Sequence, residues 1–104
     1  MTKYLLLYRA QVSAAEQMAS NDPAAAQAGM DAWMAWGERA GSALVDMGSP
    51  LQPVSGTGDG DPIGGYAIMQ AESLEALQAV LEGHPHTTWG GTIEILEFLT
   101  MPGM

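Results

Sequence analysis

A chain of 104 residues is the size of one domain and buries enough apolar surface to fold without disulfides or a structural metal. Twelve acidic residues against three basic ones give a net charge of -9, which repels a phosphate backbone or an anionic membrane surface and so argues against nucleic-acid and membrane partners. With no cysteine, disulfides, thiolate metal sites and cysteine nucleophiles drop out together, and a reducing, cytoplasmic setting is expected.

The first expected element is a strand over Thr2 to Arg9, a compact run with two tyrosines and three leucines. Its apolar stretch, Tyr4 to Tyr8, is far shorter than the roughly 20 residues of a membrane span. After a loop with a helical turn around Ala14 to Met18, Asn21-Asp22-Pro23 reads as a helix start, with Asp22 as cap and Pro23 where no donor is needed. The helix runs to about Ala40, ends at Gly41, and carries an apolar stripe of Met30, Trp33, Met34, Gly37 and Ala40. Ala43 to Met47 is a second strand, followed by a Gly, Ser and Pro-rich connection through Pro62. Ile63 to Ala71 is the third strand, in which Gly64-Gly65 permits a bulge or close backbone approach. Ser73 caps a second helix, expected to bury Leu74, Ala76, Leu77, Val80 and Leu81 and to stop at Gly83-His84-Pro85. Thr92 to Leu99 is the fourth strand and Met101 to Met104 a tail.

The order β, α, β, β, α, β is that of an α+β, ferredoxin-like domain over residues 1–104, with a four-stranded antiparallel sheet and two helices on one face. Strand 1 presents Leu5 and Leu7 on one side and Tyr4, Leu6 and Tyr8 on the other; strand 4 sets Ile93 and Ile95 against Leu96 and Phe98. A sheet open to water on one side alternates apolar with polar. Apolar residues on both sides therefore predict a cover for the helix-free face, and a second copy is the simplest one.

The residues Lys3-Tyr4-Leu5-Leu6-Leu7, the tryptophan-bearing first helix, and Ala43-Leu44-Val45-Asp46-Met47-Gly48 leading to Leu51 carry a resemblance, in order, with Gly64-Gly65-Tyr66, Ser73-Leu74-Glu75-Ala76, and His84-Pro85 before Gly91-Thr92-Ile93-Glu94-Ile95. Together these resemble the YCII-related domains, which overlap a group named for a DGPF motif; here that motif appears altered as Asp59-Gly60-Asp61-Pro62. The resemblance implies a dimeric α+β barrel with a pocket between sheet and helices for acid–base chemistry on small organic molecules. In some members a histidine of the first helix works with an aspartate. This first helix has no histidine, and Met30 falls near that position, so the resemblance leaves Asp46 and His84.

His84-Pro85-His86 holds both histidines, the side chains that titrate nearest neutrality. One reading makes His84 an acid or base oriented by Asp46, with His86, Tyr66, Trp36 and Trp89 lining a pocket. Another has the imidazoles capping the last carbonyls of the second helix. A metal site would need a further ligand such as Glu82, and none is assigned. Trp33 reads as core, and the tyrosines serve equally as pocket donors or dimer-face residues. Gly56-Thr57-Gly58-Asp59-Gly60-Asp61 has neither dinucleotide nor Walker spacing, and Gln70 stands where a calcium loop begun at Asp59 needs glutamate. The expected function is a cofactor-free enzyme performing elimination or isomerisation on a small metabolite; the alternative is a noncatalytic module binding a small molecule or protein.

Overall fold

The computed structural model describes residues 1–11, 23–56, 60–88 and 90–99. The expected turn at Ala14 to Met18, the Asp22 cap, Trp89 and the tail from Met101 lie outside them. The described elements are β1 (Thr2–Arg9), α1 (Pro23–Ala40), a short 3-10 turn (Gly41–Ala43), β2 (Leu44–Asp46), β3 (Ile63–Ala71), α2 (Leu74–Leu81), a one-turn helix α3 (Pro85–Thr88) and β4 (Thr92–Glu97). The strands form one antiparallel sheet in the order β2-β3-β1-β4. This is an α+β, ferredoxin-like arrangement. Among the described residues no helix is long and apolar enough to cross a membrane.

Alternation along the strands decides which side each residue serves. On β1, Tyr4, Leu6 and Tyr8 are buried; on β3, Gly65, Ala67, Met69 and Ala71 are buried. These residues join Trp36 and Ala40 of α1 and Leu77 of α2 in one core, so both helices lie on the same face of the sheet. The other face carries Leu5, Leu7, Tyr66 and Ile68, aligned as Leu5↔Ile68 and Leu7↔Tyr66. Lys3, Gln70 and the exposed Arg9–Glu94 ion pair of 3.4 Å frame that stripe.

The buried line of α1 departs from the expected stripe. Met30 and Met34 are 60% and 53% exposed, whereas Trp36 is 2% exposed. The helix-side residues of β3 are mostly small, which leaves room for the indole, and its Nε1–H donates to the carbonyl of Val80 on α2 at 3.3 Å. Rolling the helix toward Trp36 buries the larger ring and leaves two flexible thioether chains outside. In α2, Leu77 alone is fully buried; Leu74 and Ala76 face solvent. The Ser73 cap is made as expected, its hydroxyl accepting from Ala76 N–H at 3.1 Å.

The Gly-Gly prediction for β3 also takes a definite form. Tyr8 pairs with Gly65 and Arg9 with Ile63, so Gly64 is bulged out of the ladder. Upstream, Gly48 has φ 82, and a Cβ there would run into the backbone carbonyl of Tyr66. Only glycine lets the chain leave β2 this close to β3.

A buried histidine in an aromatic box

The site is built where α2 stops. Beyond Leu81 the chain turns back through Gly83, and His84 N–H donates to the carbonyl of Leu81 at 3.1 Å. Pro85 takes the first position of α3, where a missing N–H costs nothing. His84 then serves as the cap of that helix. Its Nδ1 accepts the backbone N–H of His86 at 3.0 Å, and its carbonyl accepts from Thr88 N–H and from the hydroxyls of Thr87 and Thr88 at 3.0–3.1 Å. The expected capping of α2 carbonyls by the imidazoles is therefore replaced by capping of the next helix start, because Pro85 begins a new turn instead of merely ending the old one.

This backbone cage holds the His84 ring, which is fully buried, against Tyr8 of β1. Its Nε2 lies 3.3 Å from the Tyr8 hydroxyl oxygen. Trp33 stands edge-on to the imidazole at 4.6 Å between centroids, Trp36 lies tilted at 4.3 Å, and Tyr8 meets Trp33 edge-on at 5.0 Å. Burial among these rings disfavours a charged imidazole, and nearby His86 and Arg39 add like-charge repulsion, so the His84 pKa falls to about 4. Burial likewise pushes the Tyr8 phenol above its ordinary value of 10. Both members of the pair are neutral at pH 7.

His86 lies beside the box, its ring 5.2 Å from that of Tyr8. Its Nε2 faces the carbonyls of Arg9 and Thr92 at 2.7 and 3.1 Å; two acceptors require that this nitrogen carry hydrogen. The ring fits there because residue 91 is glycine: a Cβ at Gly91 would collide with the His86 imidazole. A shallow groove of about 220 Å³ borders the box, lined by Trp36, Pro85, Arg39 and Thr88 among others. Arg39 at its rim donates to the Glu82 carbonyl at 3.1 Å.

The structure does not bring Asp46 to His84. Asp46 pairs with Ile68 and accepts from the Tyr66 hydroxyl at 3.3 Å and from Gly48 N–H at 2.9 Å, all on the helix-free face. His84 is on the other side of the sheet. The carboxylate and Tyr66 thus form a separate exposed pair, and the orienting group for His84 is a backbone N–H instead. Trp36 belongs to the box wall, His86 borders it, and Trp89 lies outside the described residues. Among the described residues no three acidic or histidine side chains cluster as metal ligands.

Sequence reasoning put Trp33 in the core and left Tyr8 open between pocket donor and dimer-face residue, without choosing either as a site member. The signal for Tyr8 was the alternation that puts it with Tyr4 and Leu6 on one face of β1; that face is the one the helices cover. No family model matches the chain, and no curated protein matches it. Among solved structures it is similar to 5-chloro-2-hydroxyhydroquinone dehydrochlorinase from Burkholderia phenoliruptrix, in complex with 2,5-dihydroxybenzoquinone. The two are 25% identical with a TM-score of 0.48, over 88% of this chain and 90% of that one.

Proposed function

We propose that this protein binds a small organic molecule against the Tyr8, Trp33, Trp36 and His84 box and performs acid–base chemistry on it without a cofactor. The observation that carries this reading is the neutral, hydrogen-bonded His84–Tyr8 pair enclosed by two indoles. Titratable side chains held in contact among aromatic rings, with burial pushing both away from their ordinary pKa values, are the kind of group that functional sites concentrate. Tyr8 keeps its proton at neutral pH, and a phenol in that state assists reaction by hydrogen bonding to an oxygen on which negative charge develops. When solvent water or hydroxide takes a proton from the carbon next to a carbonyl, the electron pair moves onto that oxygen and the Tyr8 hydroxyl donates to it; this enolisation is the step common to isomerisations and to many eliminations.

A titration with small aryl ketones followed by NMR tests the location. The Trp33 and Trp36 indole N–H signals and the ring signals of Tyr8 are expected to move, while the methyl groups of Leu5, Leu7 and Ile68 stay still. Movement confined to those methyls overturns the assignment.

We further propose that two copies pair through the helix-free face. Leu5, Leu7 and Ile68 form a continuous apolar stripe there, with Leu96 beside them at 43% exposure and charged residues around the edge. An apolar centre with a polar rim is the pattern of protein interfaces. Light scattering coupled to gel filtration is expected to give twice the chain mass; a monomer at micromolar concentration overturns this part.

A further inference from the structure

His84 has no atom left to offer a ligand. Its Nδ1 lone pair is taken by the His86 N–H, so the neutral ring carries its hydrogen on Nε2, and Nε2 faces Tyr8. An Nε2–H is a donor, which makes the Tyr8 oxygen the acceptor in that 3.3 Å bond. The hydroxyl hydrogen of Tyr8 must therefore point elsewhere, and among the described residues no other atom accepts it.

The shape of the box agrees with the hydrogen bonding. His84 is sealed, whereas Tyr8 is 5% exposed and the neighbouring Trp33 is half-buried. Of the pair only Tyr8 keeps any accessible surface, so a molecule arriving at the box meets Tyr8 and not the sealed imidazole. Trp33 and Tyr8 meet edge-on, so a flat molecule stacked on one ring presents its edge to the other. Among the described residues no charged side chain is bonded to the pair, and the Arg39 guanidinium is engaged outside with the Glu82 carbonyl, so an ionic ligand placed against these rings gains no counter-ion from them to offset its desolvation.

Resting on the site reading above, we propose that Tyr8, and not either histidine, is the group that meets the ligand, and that the ligand is a flat, uncharged ring bearing an acceptor oxygen. His84 then acts through Tyr8. By donating to the phenol oxygen it strengthens the tyrosine as a donor, and the His86 N–H keeps His84 in the tautomer that does so.

Two measurements test this. Nitrogen-15 NMR of labelled histidine is expected to report His84 protonated on Nε2 with Nδ1 accepting; a ring protonated on Nδ1 overturns the proposal. Acetophenone and ethylbenzene then serve as probes with the same phenyl ring and two-carbon chain, of which only the first carries an acceptor oxygen. Wild-type protein is expected to prefer acetophenone about fivefold, the effect of one neutral hydrogen bond, and Tyr8→Phe to abolish that preference while still binding ethylbenzene. A preference that survives in Y8F, or none in wild type, overturns this proposal and leaves the site reading intact. Failure of both probes to bind wild type overturns the site reading itself, and the proposal with it.

Discussion

Acidification through the range between pH 6.5 and 4 is expected to destabilise the fold through His84 alone by an amount large enough to measure. The ordinary imidazole pKa is 6.5, and burial with its two charged neighbours lowers that of His84 to about 4. Below pH 6.5 the unfolded chain takes up a proton that the native ring refuses, so unfolding gains free energy as pH falls. The sign is that of a depressed histidine: the effect is absent above 6.5, grows through the window, and levels off below about 4, where both states are charged. At about 1.4 kcal/mol per pH unit the full window amounts to about 3 kcal/mol. Urea unfolding of wild type and His84→Asn at half-unit steps from pH 7.5 to 4 isolates the contribution, since every other ionisable group is common to the two proteins. The variant starts less stable, yet the gap between the two curves is expected to narrow by about 3 kcal/mol on acidification. Parallel curves would show that His84 titrates normally, and would refute the picture of a sealed, uncharged ring.

Four other outcomes follow from particular contacts. Gly48→Ala forces a side chain into the Tyr66 carbonyl at φ 82, and a loss of at least about 2 kcal/mol in denaturant unfolding is expected. Gly91→Ala displaces the His86 ring from the carbonyls of Arg9 and Thr92; the histidine nitrogen-15 spectrum is expected to show His86 released, together with a lower melting temperature. Ile68→Glu puts a charge in the middle of the apolar stripe of the helix-free face, and light scattering is expected to shift from two chains to one with the fold intact by circular dichroism. Asp46→Asn, by contrast, alters hydrogen bonds to Tyr66 and the Gly48 turn on the opposite face of the sheet, so the Trp33 and Trp36 indole signals are expected to stay within ordinary scatter.

The strands and the first helix were readable because the chain punctuates them plainly. Pro23 opens α1, Gly41 closes it with φ 57, and β1 and β3 fall where their β-rich runs were bounded by polar and glycine residues. The partner of His84 was not readable, because Tyr8 lies 76 residues away and no local pattern joins them. Asp46 misled for a more specific reason. The β2–β3 register shifts between Leu44 and Asp46, and in a strand a slip of one residue sends a side chain to the opposite face. Periodicity also erred on α1, where a stripe through Met30 and Met34 and one through Trp36 both pass through Trp33 and Ala40. The volume left above the small residues of β3 chose the indole, and that volume is a property of the packed sheet.

Acid–base chemistry at this box falls to the Tyr8 hydroxyl, with His84 acting through it beneath the helices. Deuterium incorporation from solvent into the methyl group of acetophenone, followed by proton NMR, tests it most directly. Wild type is expected to accelerate exchange over buffer and Asp46→Asn to do so within about twofold, while Tyr8→Phe and His84→Asn fall by at least about tenfold, the effect of losing one positioned proton donor. Exchange lost in Asp46→Asn but kept in Tyr8→Phe would place the chemistry on the opposite face of the sheet, and ketone binding without exchange in wild type would make the box a noncatalytic binding site.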